Sequence, residues 1–175
     1  CNPTGCMLSH GNHAVNDRGW SDWSLALGNG YFGIDIDHQL ENEELIAAAK
    51  RYVDAILANQ QSDGWICPCK KSEIPKYDTW ALQLVCKTLV VYYNCSGDER
   101  VPDAIYRAFK NYYDLLKDGT LKLFGWGKFR WFESFITLNF LHKRYDEQWI
   151  KDLAKIIKAQ GFDYNTTTEN WKKPS

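Results

Sequence analysis

The chain has 175 residues, of which 45% are hydrophobic, so its length and composition fit one domain with a packed core. A formal net charge of −1 and a pI of about 6.5 leave no excess of basic residues to bind phosphates, which excludes nucleic acid as the expected partner. No apolar run reaches the roughly 18 residues of a membrane-spanning helix, so we expect no membrane partner.

The first forty residues are predicted to be irregular. Six glycines interrupt residues 1–40, and no helical period continues through them. The segment shows no signal-peptide pattern, and a start at Cys1 suits a processed or truncated chain. We therefore separate an N-terminal segment at 1–40 from a helical domain at 41–164 and a tail at 165–175.

Five helices are predicted after residue 40. Apolar residues recur in each at spacings of three and four, and turns containing glycine or aspartate separate them. Their predicted ranges are 41–60, 77–94, 101–117, 128–144 and 147–159.

These helices are of two alternating types that recur about every fifty residues. The first, third and fifth share an acidic start, and their Glu44, Glu99 and Glu147 are offset by 55 and 48 positions. The second and fourth are nearly apolar and carry Trp80 and Trp131 near their starts. We interpret the charged type as outer and the apolar type as inner, which predicts an all-α fold of helical-hairpin repeats. Five helices would make a partial (α/α)6 barrel, or toroid, and an incomplete barrel would leave room for self-association.

The aromatic content suggests a ligand. Eight Trp and ten Tyr are present, and several lie in predicted loops, where aromatic faces can stack on the C–H face of a sugar ring. The alternative is that large aromatic side chains fill the core. We expect most of the Tyr and Phe to be core and a minority of the Trp to line a groove.

Cysteine usage favours secretion. The six cysteines are even in number, and two glycosylation sequons begin at Asn94 and Asn165, which together fit a secreted chain with disulfides. Chance sequons and a chance even count are the alternative. The Cys67-Pro68-Cys69 pair and the early Cys and His residues lack a zinc spacing, so we expect no metal in this chain.

Two loops that lead into the inner helices combine tryptophan with carboxylates, at 61–80 and 124–133. Paired carboxylates beside aromatic rings are what glycosidic-bond cleavage uses, and the candidate catalytic pair is Asp78 and Glu133. The candidate substrate-binding residues are Asp63, Trp65, Tyr77, Trp80, Trp126, Lys128, Arg130 and Trp131.

Each candidate also has a structural interpretation. Asp78 can cap a helix, and Asp63 can form a turn with Gly64. Glu133 can pair with Arg130. Outside the loops, His142 is expected to be packed and hydrogen-bonded, and Cys86 is expected to be an inert core thiol.

Ordered motifs across residues 41–164 carry a family resemblance. They are AKRYVDAILANQQSDGW, PKYDTWALQLVCKTLVVYYNCSGDER, WGKFRWFESF and LHKRYDEQWIKDLAKIIKAQGFDY. In order and spacing they resemble the helical-barrel domain of glycoside hydrolase family 127, the β-L-arabinofuranosidase-like group. The resemblance implies an (α/α)6 barrel and hydrolysis of arabinofuranosides by a zinc-bound cysteine and a glutamate. Those cysteines lie farther along the family's sequence than this chain reaches, so zinc is expected only if that later site were present.

The resemblance also implies which residues line the pocket. They are Tyr77, Asp78, Trp80, Lys128, Arg130, Trp131 and Glu133. Tyr77 stands where bacterial members have histidine, which changes the expected sugar. The predicted function is therefore binding of arabinofuranosides or short oligosaccharides, without appreciable hydrolysis by this chain. The alternative is a non-catalytic helical-repeat scaffold for a protein or a glycan.

Overall fold

The structure is a computed structural model that describes residues 43–169. It contains seven α-helices in that range: α1 (Glu43–Ala58), α2 (Trp80–Ser96), α3 (Arg100–Lys117), α4 (Gly125–Phe129), α5 (Ser134–Tyr145), α6 (Gln148–Gln160) and α7 (Tyr164–Glu169). Two 3₁₀ helices accompany them, Lys71–Lys76 and Trp131–Glu133. The predicted all-α class is confirmed for the described range, which has no strand.

The predicted N-terminal segment and C-terminal tail fall wholly or partly outside the described residues. The segment 1–40 and residues 170–175 lie outside the described residues. The tail predicted from residue 165 begins inside α7. None of the helices in the described range is long and apolar enough to cross a membrane.

The longer helices form two layers that alternate along the chain. α2 packs against α3 and α5, and α6 packs against the same two helices. Arg100 Nη2 of α3 lies 2.6 Å from Asp54 Oδ1 of α1, and Tyr106 Oη of α3 donates to Glu147 Oε2 beside α6 at 3.0 Å. One layer therefore holds α1, α3 and α6, and the other holds α2 and α5.

Neighbouring helices of the second layer run in the same direction. Lys87 of α2 contacts Glu133 just before α5, and Tyr93, farther along α2, contacts Phe140, farther along α5, with ring centroids 5.5 Å apart. Since both contacts advance in the same sense, the starts of α2 and α5 lie at the same end of the bundle. The candidate site lies at this end.

The core lies between the layers. The amphipathic helix α3 contributes Ile105, Phe109 and Tyr112 to this core. Leu153 and Ile157 come from α6, and all five side chains are 0% exposed. Burial of each such side chain stabilises the fold by about 1.5–3 kcal/mol. α2 is buried on nearly every side, and Trp65, Ile66, Cys67 and Ile74 of the 61–77 loop belong to the same buried cluster.

The predicted helix at 128–144 is wrong in its first half. The chain instead forms the short α4, breaks at Arg130, where φ is −103° and ψ is 24°, and continues as α5 only from Ser134. The break follows from tertiary contacts, since α4 takes its N-terminal cap from a residue nearly fifty positions earlier.

Candidate functional site

The Asp78 carboxylate joins the starts of two helices. Its Oδ1 accepts hydrogen bonds from the backbone N–H of Trp80 at 3.0 Å and of Gly127 at 2.7 Å. Its Oδ2 accepts from the N–H of Trp126 at 2.7 Å. Trp80 opens α2, whereas Trp126 and Gly127 lie in the first turn of α4, so one side chain caps both helices. The capping contact expected of Asp78 is present, and a second cap accompanies it.

A buried polar network fixes α4 against α2 and α3. Gln83 Nε2 lies 3.3 Å from Thr79 Oγ1, from Tyr112 Oη and from the carbonyl of Gly127. Burial raises the pKa of Tyr112 to about 12, so its hydroxyl stays protonated and donates to Thr79 Oγ1 at 3.2 Å. A Cβ at Gly127 would overlap Thr79 Oγ1 and lie 3.0 Å from Asp78 Oδ1. Glycine is therefore required where α4 crosses the start of α2.

Three predicted binding residues meet above this network. The rings of Trp80 and Trp126 have centroids 6.1 Å apart, and the Arg130 guanidinium lies 5.4 Å and 5.7 Å from the two centroids. Such cation–π contacts contribute about 0.5–1 kcal/mol each at exposed sites. Trp126 is 55% exposed, so its ring is both oriented by the protein and open to solvent.

Glu133 lies between two cations. Its Oε2 is 3.1 Å from Lys87 Nζ, and its Oε1 is 3.0 Å from Arg130 Nη1. The Lys87 and Glu133 side chains are only 12% and 11% exposed, whereas Arg130 is 46% exposed. The salt bridge to Arg130 that the sequence suggests is present, and Lys87 is the partner that sequence reasoning missed.

An unbroken series of aromatic contacts continues from this point across the end of the bundle. We call it the aromatic ridge: Trp80, Trp126, Phe129, Phe162, Tyr164, Phe132, Trp131 and Phe135. Successive ring centroids lie between 4.9 Å (Phe129 to Phe162) and 6.4 Å (Trp126 to Phe129) apart. The exposed members are Trp126, Phe129, Phe132, Phe135 and Tyr164, with Ile136 exposed beside them. The expectation that most Phe residues are core is wrong for this segment.

The chain after α6 holds the ridge together. The N–H of Phe162 donates to the carbonyl of Lys128 at 3.0 Å, and Trp131 Nε1 donates to the carbonyl of Phe162 at 3.0 Å. The Tyr164 hydroxyl donates to the carbonyl of Phe129. Gly161 lies against the Trp131 ring, where any Cβ would overlap it. Lys128 therefore contributes its carbonyl here, while its side chain is exposed.

Sequence reasoning missed the ridge residues other than the tryptophans. A signal was present, because Trp126, Phe129, Phe132 and Phe135 recur at intervals of three. Side chains three apart eclipse one another in a 3₁₀ turn, and a 3₁₀ turn lies within this segment, at Trp131–Glu133.

The other predicted binding residues lie in the loop between α1 and α2. Trp65 is buried, with 1% exposure, and packs edge-on against Tyr77 at 5.3 Å. Asp63 accepts from the N–H of Trp65 at 3.1 Å and pairs with Lys71 at 3.0 Å. Partial burial opposes ionisation of Asp63, but these two partners outweigh it and lower its pKa. Trp65, Tyr77 and Asp63 thus make these contacts within the loop itself.

The four cysteines in the described range are free thiols. Burial raises the pKa of Cys67 and Cys86, and it raises the pKa of Cys69 to about 12. Cys86 is fully buried, as expected of a core thiol. His142 differs from its expectation: it is 46% exposed and lies 3.1 Å from Asp146 rather than packed in the core.

No family model, no curated protein and no solved structure matches this chain. Within residues 43–169, no group of three or more His, Cys, Asp or Glu side chains is placed to hold a metal ion. The site presents an exposed indole, an arginine stacked on it, and two carboxylates engaged by protein donors.

Proposed function

We propose that the chain is a carbohydrate-binding protein that holds a short oligosaccharide on Trp126 and does not cleave it. The observation that carries the proposal is the exposed indole of Trp126, which is fixed through its own backbone N–H by Asp78 and backed by Arg130 and Trp80. A flat aromatic ring held this way suits the C–H face of a furanose or pyranose ring.

The engagement of the two carboxylates supports binding without hydrolysis. All four oxygens of Asp78 and Glu133 already accept hydrogen bonds or ion pairs from the protein. A retaining glycosidase needs one carboxylate free to attack and another free to transfer a proton, at about 5–5.5 Å separation. Asp78 instead holds two helix starts, and Glu133 holds two cations.

The same proposal includes a partial barrel architecture and secretion of the chain. The two alternating layers fit a partial (α/α)6 barrel of the kind found in glycoside hydrolase family 127, with the ridge at its mouth and arabinofuranosides as the first sugars to test. A secreted chain would meet such glycans outside the cell. Asn94 and Asn165, which begin the two sequons, are both exposed and fit glycosylation during secretion.

A second function is favoured by one observation. The outer face of the first turns of α5 carries Phe135 and Ile136, 37% and 43% exposed, next to Phe132 at 50%. Apolar patches of this kind mark protein interfaces in soluble proteins. On this alternative, the chain is a helical-repeat scaffold and the ridge packs against another protein.

Calorimetric titration with arabino-oligosaccharides separates the two functions. Trp126→Ala removes the exposed indole. It leaves the contacts with Asp78 intact, because those contacts use the backbone. We expect it to abolish sugar binding. Tyr52→Ala removes another exposed aromatic ring, 41% exposed on α1 against 55% for Trp126, and serves as the control with unchanged binding. Sugar binding that survives Trp126→Ala would contradict the proposed site. Absence of sugar binding, together with a protein partner lost in Ile136→Lys, would establish the scaffold.

Hydrolysis is tested separately with an aryl β-L-arabinofuranoside, with and without zinc and reductant. We expect no turnover above background. Turnover that is lost in Asp78→Asn or Glu133→Gln, with the fold intact by circular dichroism, would make those carboxylates catalytic.

A further inference from the structure

We call the stacked group of Trp80, Trp126 and Arg130 the platform. One edge of the Arg130 guanidinium, at the centre of the platform, has no hydrogen-bond acceptor among residues 43–169. Its Nη1 is bonded to Glu133 Oε1. Within residues 43–169, no acceptor is bonded to its Nε or Nη2. A guanidinium presents paired N–H groups in a fixed fork that matches a carboxylate. The stacked position over Trp80 and Trp126 holds this fork beside the surface on which a sugar ring would rest.

Arg130 shares the Glu133 carboxylate with Lys87. The same carboxylate serves Lys87, whose side chain is only 12% exposed, so little solvent screens that second cation. One carboxylate therefore faces two cations. Of these two cations Arg130 is the one that faces solvent, since its side chain is 46% exposed.

Among the described residues, the other charged groups near Arg130 are either engaged or positive. The Asp78 carboxylate faces the starts of α2 and α4, which donate three N–H groups to it. Lys128, two residues before Arg130, is exposed and adds a further positive charge. Asp163, between the ridge residues Phe162 and Tyr164, accepts from the N–H of Asn165 at 2.9 Å and from the Thr166 hydroxyl within its own turn.

We propose that the platform selects acidic glycans, with a uronate carboxylate bound by Arg130 while the sugar ring stacks on Trp126. This inference rests on the proposed carbohydrate binding and names the class of sugar. A neutral sugar would use the indole alone and leave the arginine fork without a partner. The acidic sugar uses both, and the two contacts are adjacent on one face of the protein.

The test compares tri-galacturonic acid with its methyl ester by calorimetric titration. The ester keeps the ring and loses the charge. We expect the acid to bind on the order of tenfold more tightly than the ester, as fits a charge-assisted hydrogen bond, and to weaken as salt is added. Arg130→Gln should remove the preference, and Arg130→Lys should retain only part of it, because lysine lacks the fork.

Lys143→Gln makes the same charge change at an exposed position of α5 beyond the ridge, and it should leave the preference unchanged. Equal affinity for acid and ester, or a preference that survives Arg130→Gln, would overturn the acidic-glycan inference while leaving carbohydrate binding in place. Failure of both sugars to bind, alongside failure of the arabino-oligosaccharides, would overturn the proposed function itself. Trp126→Ala should abolish binding of acid and ester alike, which separates the role of the ring from that of the arginine.

Discussion

Replacing Asp78 with alanine removes the acceptor for three backbone N–H groups at once. The N–H of Trp126 is exposed and can bond to water instead, so its loss costs little. The N–H groups of Trp80 and Gly127 are partly buried, and Gly127 itself is buried. Each of these two N–H groups becomes a poorly hydrated donor without an acceptor. The loss costs about 1 kcal/mol for an ordinary cap and up to about 3 kcal/mol where water is excluded. We therefore expect Asp78→Ala to lower the free energy of unfolding by about 2–4 kcal/mol.

The measurement is urea unfolding followed by tryptophan fluorescence and circular dichroism. For a chain of this length the expected loss corresponds to a melting temperature lower by roughly 5–15 °C. Asp78→Asn keeps one acceptor oxygen but replaces the other with an NH2 group, which faces an N–H donor and cannot accept from it. The stability of this variant should therefore lie between those of wild type and Asp78→Ala. Asp103→Ala is the matched control, since that aspartate lies in the first turn of α3 and is 70% exposed in an ion pair with Arg107. It should change stability by less than about 1 kcal/mol. Equal losses for the two alanine variants would refute the double-cap reasoning.

Three further outcomes are expected. Glu133→Gln should destabilise the fold by about 2–4 kcal/mol because it removes the charge that faces the poorly exposed Lys87 ammonium. In a double-mutant cycle with Lys87→Met we expect coupling of about 1–3 kcal/mol, and additive losses would contradict the pair. Burial raises the pKa of the Cys67 and Cys86 thiols, so the folded state keeps protons that the unfolded state releases above about pH 8.5. The free energy of unfolding should therefore be constant below that pH and fall as the pH rises further. A urea midpoint that stays constant up to about pH 10 would disprove this expectation. If the ridge promotes self-association, Ile136→Lys should shift the mass measured by light scattering toward the monomer at high concentration, whereas a wild-type chain that is monomeric throughout would rule this out.

The fold was predictable because the helical hairpins are encoded locally. The apolar spacing within α3 and α6 follows the helical period, and Gly97 and Gly161 follow the ends of α2 and α6. These signals use residues within a few positions of one another. They place the five longer helices correctly, apart from the start of α5.

The site was predictable only in part. The tryptophans and Arg130 were found because they cluster in the two loops that lead into the inner helices, and Asp78 was found because it precedes an apolar helix. The double role of Asp78 was not visible, since its second helix begins nearly fifty residues later. The exposure of the phenylalanines was missed for a related reason. Apolar residues are assigned to a core by composition, and only tertiary structure shows which of them have no neighbour to cover them.

The backbone of Trp126 is held by Asp78 and its ring contacts Trp80, Phe129 and Arg130, so the indole is oriented before any ligand arrives. The donors that fix it bond to Asp78, and the carbonyl of the next residue bonds to the fully buried Gln83. Immobilising a side chain on binding ordinarily costs about 0.5–1.5 kcal/mol in conformational entropy. Here that entropy is lost when the protein folds, so a ligand that meets the platform keeps more of its contact energy as affinity.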